Sequence, residues 1–131
     1  MSVDIKTLRI GSHVLANGVR ARVRGLDEDN GLIIRFPAEY VNANDVEPIA
    51  ITPGLLEELW FVGNASKQNA VYGWEKRDED IYIAFDRITE QRWRVIMYDN
   101  VVNNGNTLCR YLHEAEAFLA LHGVELIKER Q

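Results

Sequence analysis

The dipeptide Asn17-Gly18 sits between two short runs bearing apolar residues, 10–16 and 19–26. A two-residue hairpin turn needs positive φ at its centre, and both residues tolerate it, so the chain is expected to fold back here as a β-hairpin. The second run alternates cleanly. Val19, Ala21 and Val23 fall on one face, and Arg20, Arg22 and Arg24 on the other. A period of two is that of a strand with one side in a core. A polar turn at residues 27–31 follows, then an apolar strand over 32–36 stopped by Pro37. A single helical turn around Asn44-Asp45-Val46 and a last strand near Ile49-Ala50-Ile51 complete this part. Several short strands joined by tight turns predict a small, strongly bent barrel or sheet.

Thr52-Pro53 is a helix start, with a capping hydroxyl followed by a residue suited to the first helical position. Leu55, Leu56, Leu59 and Trp60 supply an apolar stripe, and Gly63 is a plausible stop. A polar loop over 64–69 precedes three expected strands, 71–76, 80–86 and 92–98. The Asn- and Gly-rich stretch 100–106 reads as a loop. Thr107 is the expected cap of a final helix whose apolar face is built on Leu108, Leu112, Ala115 and Leu119. The fold class is therefore α+β: a bent N-terminal β unit, a linking helix, then a three-stranded antiparallel sheet with a C-terminal helix. One domain is expected over 1–131, with subdomains 1–52 and 53–131 sharing a core, because each alone is small.

The 131 residues include 47% hydrophobic and 27% charged residues, a balance typical of globular chains. A single cysteine, Cys109, excludes an intrachain disulfide and a zinc site of several thiolates. No basic-then-apolar leader opens the sequence, and no apolar run approaches the roughly 20 residues needed to span a bilayer. The expectation is a cytoplasmic protein without a membrane partner. Net charge is −5, with six basic and seven acidic residues through Thr52 and nine and thirteen after it. That excess opposes non-specific attraction to nucleic-acid phosphates.

Enzyme signatures are missing: there is no nucleophile elbow, phosphate loop or dinucleotide-binding glycine triplet. Cys109 and His113 are spaced to share a helix face as two metal ligands, but the simpler expectation packs Cys109 as a small apolar group and points His113 to solvent. Glu57-Glu58, Asp78-Glu79-Asp80 and Glu114 with Glu116 read as solvated surface charge. No catalytic residue, metal ligand or cofactor is expected. Two binding candidates remain. Arg20, Arg22 and Arg24 form one guanidinium stripe, able to grip phosphates or to pair with carboxylates across strands. Arg92, Arg94 and Tyr98 share a face of another strand, and Tyr72 with Trp74 share a face of its neighbour. Such residues can stack a base or hold a partner protein, or simply fill a core.

Leu8-Arg9-Ile10-Gly11, Asn17-Gly18, the string from Asp45 to Thr52 and the closing Phe118-Leu119-Ala120-Leu121-His122-Gly123-Val124-Glu125-Leu126 resemble a protein family encoded by Bacteroidetes genomes and their phages. Ala50 stands where that family tends to have proline. The resemblance implies an SH3-like N-terminal part and a phage or mobile-element context, and it carries over no catalytic residues. The expected function is a non-catalytic binding protein, an accessory factor acting on a host protein. One alternative is an anti-defence sponge for a small anionic nucleotide signal, which would bring a homo-oligomer with it. A nucleic-acid-binding module is the other.

Overall fold

The computed structural model describes residues 7–16, 18–27, 32–35, 39–63, 73–78, 80–99 and 102–127. The chain is mostly β and forms two compact units. One comprises residues up to Ala50 together with Tyr111–His122, and the other comprises Ile51–Arg110 and the residues from Gly123 onward.

The first unit is a five-stranded antiparallel sheet of β1 (His13–Ala16), β2 (Val19–Asp27), β3 (Leu32–Arg35), β4 (Glu39–Asn42) and β5 (Val46–Glu47), in the order β4-β3-β2-β1-β5. Ala16 pairs with Val19 across the expected hairpin, and Gly18 takes a φ of 77°. Asn17 itself lies outside the described residues. The long strand β2 is divided between two partners: residues up to Arg22 pair with β1, and Val23 onward pairs with β3. A bulge between Val23 and Gly25 marks that change, and a bulge bends the strand that carries it. Leu8, Val14, Ala16, Ala21, Val23, Val41 and Val46 form the core. Val19, expected inward, is exposed at the hairpin end. The expected helical turn is a 3-10 turn over Ala43–Asp45, one residue earlier than expected. The expected strand at 49–51 shrinks to one bridge, Ala50 to Tyr111, beside a hydrogen bond from the Leu112 amide to the Ile49 carbonyl at 2.8 Å.

Helix α2 (Leu112–Ala120) belongs to this first unit rather than to the sheet that precedes it in sequence. It starts four residues later than expected, with Tyr111 as N-cap. The Glu114 carboxylate accepts from the Tyr111 amide at 3.0 Å, satisfying a donor that would otherwise be orphaned. Leu112, Ala115 and Leu119 are buried at helical spacing.

The second unit begins with α1 (Pro53–Glu58), capped by Thr52, whose hydroxyl accepts from the Leu55 amide at 3.1 Å. A meander follows: β6 (Val62–Gly63), β7 (Trp74–Asp78), β8 (Ile81–Arg87), β9 (Trp93–Asp99) and β10 (Val102–Cys109), each paired antiparallel with the next. The expected three-stranded sheet thus has five strands. The Asn- and Gly-rich stretch read as a loop, and Leu108 read as helix, form β10 instead. Its register on β9 is interrupted by an irregularity between Asn103 and Gly105, where Gly105 has a φ of 124°. Glycine there permits a bend that a side chain would resist. Ile83, Ala84 and Phe85, and likewise Val95, Ile96 and Met97, are buried consecutively, so both faces of the sheet centre are covered. Phe61 meets Phe85 edge to face, with centroids 5.3 Å apart. The ends of the inserted segment meet: the Ile51 amide donates to the Arg110 carbonyl at 3.2 Å.

Candidate functional site

The alternation in β2 places the arginine stripe as expected. Ala21 and Val23 are buried, Arg20 and Arg24 are exposed, and Arg22 is half-buried with its guanidinium close to Gly11. All three arginines are already engaged within the protein. The stripe is therefore not a row of bare cations awaiting an anion.

The second candidate splits. Arg94 and Tyr98 share a face of β9 with buried Ile96 between them, and exposed Arg92 precedes the strand. Tyr98 meets Tyr82 edge to face, centroids 5.8 Å apart, and the Arg77 guanidinium lies 5.6 Å from the Tyr82 ring centre. The Tyr82 hydroxyl donates to Glu75. Trp74 is not part of this group. It pairs with Phe85, on the opposite sheet face, and its ring lies so close over Gly63 that a Cβ there would approach to 3.2 Å. Tyr72 lies outside the described residues, as do the polar turn from 28 to 31, Pro37 and the loop over 64–69.

Cys109 sits buried on strand β10, while His113 sits on α2, so the helical spacing behind the metal reading does not exist. Among the described residues no group of three or more His, Cys, Asp or Glu side chains is arranged to hold a metal ion. No helix of the described residues is long and apolar enough to cross a membrane.

Two features were not anticipated. The first lies in α2, where His113 and Glu116, both expected outside, are 3% and 8% exposed. Glu116 clasps the start of β1 twice. Its Oε1 accepts from the His13 amide at 2.8 Å, and its Oε2 meets the His13 ring Nδ1 at 2.6 Å. His113 Nε2 is hydrogen-bonded to Thr7 Oγ1 at 3.0 Å, its ring stacks parallel to Tyr111, and its Nδ1 is buried with no partner. Burial lowers the His113 pKa below its ordinary 6.5, against the opposing pull of Glu114 and Glu116. Partners 103 residues apart leave no local signal in sequence.

The second feature is Trp60. Helix α1 ends in a Schellman arrangement: the Trp60 amide donates to the Glu57 carbonyl at 3.0 Å, and the Phe61 amide to the Leu56 carbonyl at 2.9 Å. Leu56 and Phe61, the pair that usually packs together in this motif, are both buried. The motif requires a left-handed residue, normally glycine, and here that residue is Trp60 with a φ of 71°. No other non-glycine residue among those described has positive φ. Its side chain is 82% exposed, and Val62, two residues on, is 58% exposed. Spacing alone would bury Trp60, because it stands four residues after Leu56. The reversal of the backbone at the helix end turns it outward.

Comparison with family models, with curated proteins and with solved structures returns no match to this chain.

Proposed function

We propose that the chain is a non-catalytic binding protein that docks onto another protein through the surface around Trp60. One observation supports this above the others. Trp60 departs from two local rules at once, being an aromatic side chain left in water and a bulky residue held where glycine is favoured. A left-handed conformation in a residue with a Cβ is unfavourable by about 1–2 kcal/mol. Nothing in α1 benefits, since the Schellman hydrogen bonds are backbone bonds that glycine would make as well. Departures of this kind concentrate at sites of function, and buried tryptophans dominate many protein interfaces.

The phage or mobile-element context implied by the sequence resemblance suits a factor acting on a host protein. The strand order of the first unit, its bent β2 and the 3-10 turn before β5 support an SH3-like reading of that unit. A nucleotide sponge and a nucleic-acid module both rest on the arginine strands. They gain less support, because Arg20, Arg22 and Arg24 are engaged within the protein.

Affinity capture from host lysate with the parent chain and with Trp60→Gly is the test. The parent should recover one stoichiometric partner, and the variant should lose it. Equal recovery by both would remove Trp60 from the site. If neither recovers a partner and millimolar nucleotides raise the melting temperature, the sponge replaces this reading.

A further inference from the structure

We infer that the outer edge of β10 receives an extended segment of another protein as a sixth strand, with a carboxylate of that segment reaching Arg94. The site is separate from Trp60, which precedes β6 at the opposite edge of the same sheet.

Unpaired N–H and C=O groups on a sheet edge invite a further strand, so edges are ordinarily kept very short, charged or broken by proline. Among the described residues, β5 and β6 have two residues each, and β4 has four with Glu39 among them. Strand β10 is also an edge and pairs only with β9, yet it runs for eight residues, Val102–Cys109, with no charged side chain and no proline. The irregularity between Asn103 and Gly105 interrupts its first half, and the second half is regular. The backbone direction there is fixed at both ends. The Arg92 carbonyl accepts from the Ile88 amide at 2.9 Å in the β8–β9 turn, so Trp93, the next residue, turns its backbone toward Cys109. The Arg110 carbonyl accepts from the Ile51 amide at 3.2 Å, outside the sheet. Backbone groups alternate sides along a strand, so Leu108 and Asn106 both present their N–H and C=O to the outer side. Neither residue is hydrogen-bonded there to another described residue.

The side chains beside this edge name the occupant. Asn106 is exposed, and so is Leu108, at 48%. Directly across the ladder from Leu108 stands Arg94, also exposed, whose side chain has no hydrogen bond or ion pair among the described residues. Asp86 faces Arg94 from β8, but its carboxylate accepts from the Gly73 amide at 2.8 Å instead. An added strand would lay a side chain beside Leu108 on the face that carries Arg94, and a guanidinium fork favours a carboxylate. Main-chain bonds would supply affinity, and the apolar and acidic contacts selectivity. A second copy, pairing β10 with β10, would set the Arg94 of both copies on one face with no carboxylate in either strand to answer them. A nucleic acid could meet Arg94 with a phosphate, but it offers no strand to the edge.

The test is selection of displayed random peptides on the full chain, followed by binding to Asn106→Pro and Arg94→Gln. Proline suits an edge residue whose N–H faces outward, and the Arg94 side chain holds nothing within the chain, so both variants should fold. The enriched peptides should combine Asp or Glu with an apolar residue and lack proline between them. Their affinity should fall about 10-fold or more with Asn106→Pro, and by a smaller, salt-dependent factor with Arg94→Gln. Hydrogen exchange on the parent needs no variant: the Asn106 and Leu108 amides should exchange rapidly in the chain alone and slow when a selected peptide binds. Trp60→Gly should leave this binding unchanged. No enrichment, enrichment of basic or uncharged peptides, undiminished binding to either edge variant, or failure of the peptide to protect those two amides would overturn the inference. So would a dimer that Asn106→Pro dissolves, or loss of the selected peptides with Trp60→Gly.

Discussion

The two helices invert the ordinary rule of burial in opposite directions. In α2 the polar side chains His113 and Glu116 are inside; at the end of α1 the apolar side chains Trp60 and Val62 are outside. The difference lies in what answers each exception. Glu116 finds two donors on His13, and His113 finds Thr7, so the fold itself accounts for most of that buried polarity. Around Trp60 the backbone hydrogen bonds are complete, yet the side chain serves none of them. An exception satisfied from within stabilises a structure, and one left unsatisfied points to a function. Each prediction below either breaks that contrast or sharpens it.

The largest effect should follow from Glu116→Ala. It would leave the His13 amide and ring without their shared acceptor in a place where His13 is only 2% exposed. Leaving two buried donors at once without their acceptor typically destabilises by about 3 kcal/mol. Chemical denaturation should show a loss of that order, and amides of β1 and α2 should exchange faster. Glu116→Gln keeps an acceptor oxygen and should lose less. A change below about 1 kcal/mol for the alanine variant would mean that water replaces the clasp.

His113 adds a dependence on pH. Its pKa in the folded protein is lowered, so between that value and 6.5 the unfolded chain holds more protons than the folded one. Stability should accordingly be full above about pH 6.5 and decline as pH falls, levelling once the folded ring also titrates. The physical cause is burial, which penalises the charged ring; once protonated the ring carries an N–H on both nitrogens, and Nδ1 is buried without an acceptor. His113→Phe should flatten the decline between about pH 7 and pH 5.5, with a slope difference below the one-proton limit of about 1.4 kcal/mol per pH unit. A decline parallel to that of the parent would place its origin elsewhere.

The contrast also separates what sequence reading can reach from what it cannot. The hairpin, the alternation of β2 and the Thr52-Pro53 helix start are local, since each follows from residues within a few positions of one another. Strand β10 is not legible because Asn and Gly signal a loop, whereas pairing with β9 is decided by the neighbouring strand. Sequence places Glu116 in solvent, because a carboxylate on a helix usually belongs there and its partner is 103 residues away. The arginine faces were legible, while their engagement within the protein was not. Trp60 was legible as an apolar residue at helical spacing. Its exposure depends on where the helix stops, and Gly63, the apparent stop, lies in β6 instead.

The smallest effect discriminates best. At position 60 alanine and glycine both remove the indole, but only alanine keeps a Cβ at a φ of 71°. If strain is present, Trp60→Gly should be more stable than Trp60→Ala by about 1 kcal/mol. For a chain of this size that is roughly 4 °C in melting temperature. Against the parent, Trp60→Gly should gain a few tenths of a kcal/mol up to about 1, because relief of the left-handed backbone is partly offset by the greater freedom of glycine when unfolded. A substitution that strengthens the fold while abolishing partner capture would show Trp60 to be maintained for binding at the expense of stability. If Trp60→Gly is instead clearly destabilising, the indole serves the fold, and the contrast between the two helices fails at its more informative end.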